Sequence, residues 1–448
     1  MVITPAFAEQ AVPRYTSYPT APHFSSVVGA QTYASWLSSL PPEAMLSLYI
    51  HVPYCSELCF YCGCHTKAVQ RRKPIEVYAD RLLDEIALVG ASIAPRRVVH
   101  LHWGGGTPSI LGVERLLEIT TKLKEVFDFT AVHEHAIELD PRHVDRPLAG
   151  ALAAMGVNRA SLGVQDFTPH VQEAIGRIQP FGMVEQTIAM LREVGINQVN
   201  FDLMYGLPKQ TTRDVRRTAE LAASLQPQRL AWFGYAHVPW FKIHQRMIDE
   251  ATLPSPFERL EQAETARETL HKFGYRPIGL DHFALSDDDL AAAQRCGLLR
   301  RNFQGYTTST ADALLGFGTS AIGRLPQGFV QNASDVMSYS QAVAAGRFAT
   351  VKGVALSSED RLRGHIIERL MCDLCIDLDT IANNVADGAK IEFDAELTAL
   401  ASFEDEGMVR LDCRRIQVTE KGRPFMRLVA AVFDDYLQQG RARHSVAI

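Results

Sequence analysis

The segment His51-Val-Pro-Tyr-Cys55-Ser-Glu-Leu-Cys59-Phe-Tyr-Cys62-Gly-Cys64 places four of the chain's eight cysteines within ten residues. Iron–sulfur clusters are held by cysteine thiolates, and a tight loop presents several sulfurs to one face of such a cluster. Four cysteines also satisfy tetrahedral zinc, but structural zinc sites pair two Cys-x2-4-Cys knuckles far apart in sequence. Cys62-Gly-Cys64 is too tight for both sulfurs to reach one small ion comfortably. If only one of that pair is a ligand, three thiolates bind and one iron keeps an open position, as a catalytic cluster requires. Zinc and redox-active thiols stay open as alternatives on the cysteines alone. Tyr54, Phe60 and Tyr61 interleave with them and would supply an apolar shell, or simple core packing.

Other residues that could do chemistry are scattered. Gly104-Gly-Gly-Thr107 has neither the Gly-Lys pair nor the spacing of a phosphate-binding Walker loop, and a glycine run lets a ligand approach the backbone; turn formation alone explains one glycine more readily than three. Glu138 and Asp202 are carboxylates in apolar stretches, where an unpaired charge is costly, so each needs a salt bridge or a polar ligand. Arg177 offers a planar fork suited to a carboxylate, although an isolated arginine is more often on the surface. Cys372-x2-Cys375 has no second pair and sits in a helical pattern over Ile366–Ile376, which suits buried thiols. His100, His102, His133 and His135 flank strands without the carboxylate of a zinc-hydrolase motif and read as structural.

The elements that must position these groups follow from hydrophobic patterning. The chain has 448 residues, 47% hydrophobic and 21% charged, enough for two domains and a large core. Its net charge of −6 gives no overall basic field for nucleic acid or anionic lipid. No secretory leader and no apolar run of bilayer length is evident, and the cysteines suggest no disulfide framework, so a cytoplasmic protein is expected. Residues 1–45, rich in Pro, Ser, Thr and aromatics, read as an extended lead. From Leu46, short apolar runs alternate with amphipathic stretches such as Tyr78–Leu88, the pattern of βα units and a parallel sheet. Strands are expected at Leu46–Val52, Val98–Trp103, His135–Leu139, Arg159–Val164, Val199–Met204 and Leu230–Tyr235. Six units fit an α/β partial (β/α)6 barrel over residues 46–290, and active sites in barrels collect at the C-terminal strand ends. Cys55, Gly104–Gly106, Glu138, Asp140, Gln165, Asp202 and Ala236 all fall there. Residues 291–356 read as connecting loops and short helices. Residues 357–448 read as a mainly helical domain, winged-helix-like through Met408–Leu411, Ile416–Thr419 and a helix over Pro424–Leu437; without a basic recognition helix, packing over the barrel is favoured over DNA binding.

Cys-x3-Cys-x-aromatic-Cys resembles the signature of the radical S-adenosylmethionine (SAM) superfamily, and the added Cys64 resembles its oxygen-independent coproporphyrinogen III oxidase branch. Pro13–Thr20, His102–Pro108, Ile137–Arg142, Gly163–Asp166, Asp202–Pro208, Gly279–Phe283 and Asn302–Thr307 extend the match. The resemblance implies oxidative decarboxylation of the ring A and B propionates of coproporphyrinogen III by a SAM-derived 5′-deoxyadenosyl radical. It implies one [4Fe–4S] cluster on Cys55, Cys59 and Cys62, with Cys64 important but not a ligand. Two SAM molecules are implied, one using Tyr49, Tyr61, Gly105, Glu138 and Ile322, the other Gly106, Thr107, Gln165, Arg177, Asp202 and Ala236. It further implies that the lead segment senses substrate through Arg14, Tyr15 and Tyr18. A low-potential electron donor such as flavodoxin or ferredoxin is expected, and neither nucleic acid, membrane nor a second subunit. A related haem-binding chaperone would lack Cys64 and the Pro13–Thr20 segment; a radical SAM methyltransferase would share only the cluster loop. One departure is the loop Thr307–Gly316, with Ala311 and Ala313 around Asp312 where the family has a more acidic stretch.

Overall fold

The computed structural model describes Phe7, residues 10–382 and residues 392–437. The expected lead segment and C-terminal domain therefore each include residues outside that range. Twelve strands form one sheet. The first six are β1 (Leu46–Val52), β2 (Val98–Gly105), β3 (Glu134–Leu139), β4 (Arg159–Gln165), β5 (Gln198–Tyr205) and β6 (Arg229–Gly234), joined in parallel in that order. All six match the expected strands to within a residue or two, and the mixed α/β architecture is the partial barrel anticipated.

Alternation along these strands builds the site. In β1, Leu46, Leu48, Ile50 and Val52 are fully buried under the outer helices, each worth about 1.5–3 kcal/mol of burial. Ser47, Tyr49 and His51 alternate with them and face the other side. The same parity sends His102 of β2, Glu134 and Glu138 of β3, Ser161 and Gln165 of β4, and Asn200 and Asp202 of β5 into the barrel interior. The helices start where local capping dictates. Thr211 with Asp214 caps α-helix Thr212–Ser224, and Ser255 with Glu258 caps Pro256–Lys272. Helix Arg72–Ser92, which contains the amphipathic Tyr78–Leu88, buries Tyr78, Leu82, Ile86 and Val89 against the sheet.

Residues 291–356 correct the expectation of loops and short helices. After Arg276–Ile278 (β7) and His282–Ala284 (β8), which extend the β6 edge antiparallel, the chain crosses to the opposite edge. There β9 (Ala313–Phe317) pairs parallel to β1, and β10 (Ile322–Leu325), β11 (Gly328–Asn332) and β12 (Thr350–Ala355) follow as an antiparallel meander. These strands are short and glycine-rich, so no period of two stood out. Asp312, in the departing loop, accepts the Met45 N–H at 2.8 Å and pins the start of β9 beside β1.

The C-terminal region has its own core, which also takes in Val12, Tyr15 and Tyr18 of the lead. Helix Ser358–Asp373 stops at Leu374, whose φ of 58° is left-handed, so the helical pattern does not continue to Ile376. Cys375–Asp377 is instead a third strand beside Val409–Asp412 and Arg415–Val418, the pair expected at Met408–Leu411 and Ile416–Thr419. The expected helix Pro424–Leu437 is shorter, a 3-10 turn and Met426–Ala431. Asp434 accepts the N–H groups of Tyr436 and Leu437, a side-chain alternative to the helical ladder. Among the described residues, no helix is long and apolar enough to cross a membrane.

Candidate active site

The cysteine loop leaves β1 and is laced to the end of β2. Gly106 N–H donates to Val52 O at 2.7 Å and Thr107 N–H to Tyr54 O at 2.8 Å. A Cβ on Gly106 would lie 2.4 Å from Tyr54 O, and Gly105 has φ +113°, so this close approach of backbone to backbone requires glycine before any ligand is considered. From the other side the segment after β6 grips the loop: His244 meets Cys62 O at 2.7 Å, Lys242 Nζ donates to Cys64 O at 2.7 Å, and Gln245 Nε2 donates to Tyr61 O at 2.9 Å.

All four loop sulfurs line one cavity of about 730 Å³ at the C-terminal strand ends. Their surroundings suit anionic sulfur. Thr107 Oγ1 donates to Cys55 Sγ at 3.5 Å, with Thr66 Oγ1 at 3.3 Å, and Arg177 Nη1 and Arg142 Nη2 approach Cys59 Sγ at 3.4 and 3.9 Å. Cys62 and Cys64 act on one another, which lowers the Cys62 thiol and raises that of Cys64. Among the described residues no three His, Cys, Asp or Glu side chains converge on a single ion. Cysteines whose sulfurs meet hydroxyl and guanidinium donors suit the anionic sulfur that holds an iron–sulfur cluster.

Two carboxylates face the same cavity. Glu138 accepts Gly105 N–H at 3.2 Å and meets His102 Nε2 at 3.1 Å. Asp202 accepts Ser161 Oγ and Asn200 Nδ2, both at 2.9 Å; burial and the nearby Glu138 push its carboxyl up to about 6. Among the described residues, neither is paired with a helix-borne cation. Behind Glu138, Tyr49 stacks on His102 and its hydroxyl bonds His51 Nδ1 at 3.0 Å, while His51 Nε2 meets His65 O at 3.0 Å. Burial lowers His51 to about 4, so the ring is neutral, with its proton on Nε2 facing the carbonyl.

Arg177 is not on the surface. It is 7% exposed, donates to Asp140 Oδ2 at 3.1 Å and Gly163 O at 2.8 Å, and keeps its charge against burial through Tyr61, Asp140 and Cys59. Arg142 shares Asp140 at 2.7 Å. Gln165 stands at a register shift between β4 and β5 with φ 66°, a bulge of the kind found beside active sites. Below this layer Glu134, Arg159, Arg229 and Asp288 form an ionic floor, with Arg159–Glu134 at 2.7 Å and Arg229–Asp288 at 2.8 Å.

Of the expected residues, Cys55, Cys59, Cys62, Cys64, Tyr61, Gly105, Gly106, Thr107, Glu138, Gln165, Arg177, Asp202, Ala236 and Arg14 line the cavity. Four are placed elsewhere. Tyr49 is one layer behind, and Ile322 lies in β10 on the flank. Tyr15 and Tyr18 are buried in the C-terminal core, Tyr15 O–H donating to Asp434 at 3.0 Å. Tyr15 thus corrects the expectation of a group at the reacting centre, because its apolar ring is taken up by the other core. Sequence reasoning missed Thr66, Arg142, Lys242 and His244. The Asp140-Pro-Arg142 sequence at the end of β3 was the one visible signal among these.

Comparison with known proteins bears on the whole chain. A family model for the radical SAM superfamily matches residues 49–222, and one for the HemN C-terminal domain matches residues 356–425. The chain is 48% identical over 446 residues to the oxygen-independent coproporphyrinogen III oxidase of Bradyrhizobium diazoefficiens, covering 99% of this chain and 98% of that protein. It is 40% identical over 427 residues to the protein of the same name from Escherichia coli, covering 95% and 93%. A solved structure of coproporphyrinogen III oxidase (HemN) from Escherichia coli, described as a radical SAM enzyme, superposes with a TM-score of 0.89 at 39% identity, covering 95% of this chain and 100% of that one.

Proposed function

The chain belongs to the oxygen-independent coproporphyrinogen III oxidases of the radical SAM superfamily, and on that premise we propose which of its residues carry each part of the reaction. As a radical SAM oxidoreductase of haem biosynthesis it converts the ring A and B propionates of coproporphyrinogen III to vinyl groups, giving protoporphyrinogen IX. When bound, the [4Fe–4S] cluster and SAM supply one-electron cleavage of a carbon–sulfur bond and hence a hydrogen-abstracting carbon radical. Cys55, Cys59 and Cys62 would hold the cluster. The observation that carries this assignment is the donor set in the loop: Thr107 Oγ1 lies 3.5 Å from Cys55 Sγ and Arg177 Nη1 3.4 Å from Cys59 Sγ, as suits anionic sulfur. Cys64 stands exposed to the cavity as a thiol, positioned to meet substrate.

Glu138 and Tyr61 would receive the first SAM near Gly105, with Tyr49 and Ile322 acting through the residues around them. Gly106, Thr107, Gln165, Arg177, Asp202 and Ala236 line the same cavity and would receive a second SAM, with Asp202 meeting an ammonium or ribose hydroxyls. Arg14 enters the cavity from the lead segment, and Tyr15 and Tyr18 anchor that segment to the C-terminal core. A low-potential donor such as flavodoxin or ferredoxin would supply the electron. On the same reading the protein is a monomer, and eight free cysteines suit the cytoplasm. The deciding experiment is anaerobic incubation of reconstituted protein with reductant, SAM and coproporphyrinogen III. Vinyl product and 5′-deoxyadenosine are expected; haem uptake without turnover, or methylated product, would overturn the reading.

A further inference from the structure

Beside the main cavity lies a second, smaller one of about 140 Å³, walled by the end of β6, helix Pro256–Lys272, the lead segment and the C-terminal region. Arg14, Phe233, Gly234, Tyr235 and Ala236 line both, so the two spaces share a wall. Its charged lining is mostly basic, six arginines against Asp281 and Glu264, the latter paired with Arg267. Arg14, Arg259, Arg301 and Arg427 converge on it from four separate elements, and Asp281 is the carboxylate acting on Arg14, Arg301 and Arg427 together. Arg301 Nη1 stands 3.7 Å from Asp281 Oδ1, a distance that leaves room for more anionic charge, and two of its buried nitrogens, Nε and Nη1, lack a hydrogen-bond acceptor. Arg14 Nη2 also donates to Gly234 O at 3.2 Å and Arg427 Nη1 to Val12 O at 3.3 Å. Burial weakens the hold of Arg14, Arg259 and Arg427 on their protons, with Arg427 brought down to about 10. Arg301, with two nitrogens that lack an acceptor, is costly in a dry space unless an anion joins it.

We propose that this arginine-lined annexe receives the propionate carboxylates that coproporphyrinogen III keeps, those of rings C and D, while rings A and B face the cysteine loop. The inference rests on the substrate reading above. A tetracarboxylate that loses two carboxyl groups and retains two needs cations held apart from the reacting centre, and planar forks suit carboxylates. Arg14 at the shared wall would link the two spaces.

The test uses anaerobic equilibrium binding to the reconstituted full-length protein of three reduced probes: coproporphyrinogen III, mesoporphyrinogen IX with propionates on rings C and D alone, and etioporphyrinogen with no carboxylate. Arg259→Gln should weaken the first two by the same factor, on the order of tenfold or more, and leave the third unchanged. Arg259→Lys should recover part of the loss. SAM cleavage without substrate should equal wild type in both variants, which separates binding from misfolding. If Arg259→Gln fails to fold, Arg427→Gln measured in the same way replaces it. Loss confined to coproporphyrinogen III would assign the annexe to rings A and B and overturn the proposal, as would unchanged binding of all three. Failure of wild type to bind coproporphyrinogen III at all would instead strike the substrate reading itself.

Discussion

Arg177 lies across Cys59, with Nη1 3.4 Å from Sγ and 3.1 Å from Asp140 Oδ2. A cation donating to a cluster sulfur stabilises the reduced, more negative cluster, so losing it makes reduction harder. Arg177→Gln should keep the cluster but lower its midpoint potential, by about 60 mV if the contact is worth about 1.4 kcal/mol more in the reduced state. It should also cost about 1–3 kcal/mol of stability, because Asp140 retains only Arg142. An EPR-monitored redox titration measures the first effect. An unchanged potential would show that Arg177 serves only Asp140.

The four loop cysteines all line the cavity but should respond differently to substitution. Serine at Cys55, Cys59 or Cys62 should abolish the cluster, while Cys64→Ser should still assemble about four irons per chain and cleave SAM. Vinyl product from Cys64→Ser should fall steeply, since its thiol lies open to the cavity. Iron and sulfide analysis after anaerobic reconstitution decides the matter; equal cluster loss in Cys64→Ser would make it a ligand.

The parallel core was legible because Leu46, Leu48, Ile50 and Val52, and their counterparts, repeat at a period of two inside helical punctuation. The strand ends so located placed the carboxylates Glu138 and Asp202 on the active-site face. What escaped was whatever depends on a partner distant in sequence. Nothing near Arg177 announces Asp140, nothing near Tyr15 announces Asp434, and the β9–β12 meander is made of short strands whose pairing only the fold supplies. The glycine run misled in emphasis. Gly106 is small first of all because Tyr54 O sits against it. Cys375 left the expected helix because Leu374 takes a left-handed cap, which a helical period does not reveal.

Tyr15 and Arg14 are adjacent yet face different spaces, and substitutions should separate them. Tyr15→Phe removes the buried hydroxyl that donates to Asp434 at 3.0 Å. It should cost about 1–2 kcal/mol in denaturant unfolding and leave KM for coproporphyrinogen III unchanged. Arg14→Gln should raise that KM with little effect on substrate-free SAM cleavage. A changed KM in Tyr15→Phe at full stability would return Tyr15 to the substrate surface.

Asp202 makes pH a probe of both the fold and SAM binding. Its carboxyl is pushed up to about 6 in the fold, by burial first and Glu138 second, against an ordinary value of 3.8. Between pH 4 and 6 the folded chain therefore holds more of this proton than the unfolded chain does, and stability falls as pH rises through that window. The group withdraws up to about 3 kcal/mol by the upper end and nothing further above it. Asp166, also at about 6, and Glu85, at about 7, act in the same sense, so the informative quantity is wild type minus Asp202→Asn. In urea unfolding, that variant should gain relative stability from pH 4 to 6 and then hold level. If ionised Asp202 meets the ammonium of a second SAM, wild type should bind two equivalents at pH 8. The weaker one should lose affinity about tenfold per pH unit below 6. Asp202→Asn should bind that equivalent about 30-fold more weakly at pH 8 and leave the cluster-bound one alone. Calorimetric titration that finds a single equivalent in wild type at pH 8 would refute the two-SAM reading, whatever the stability curves show.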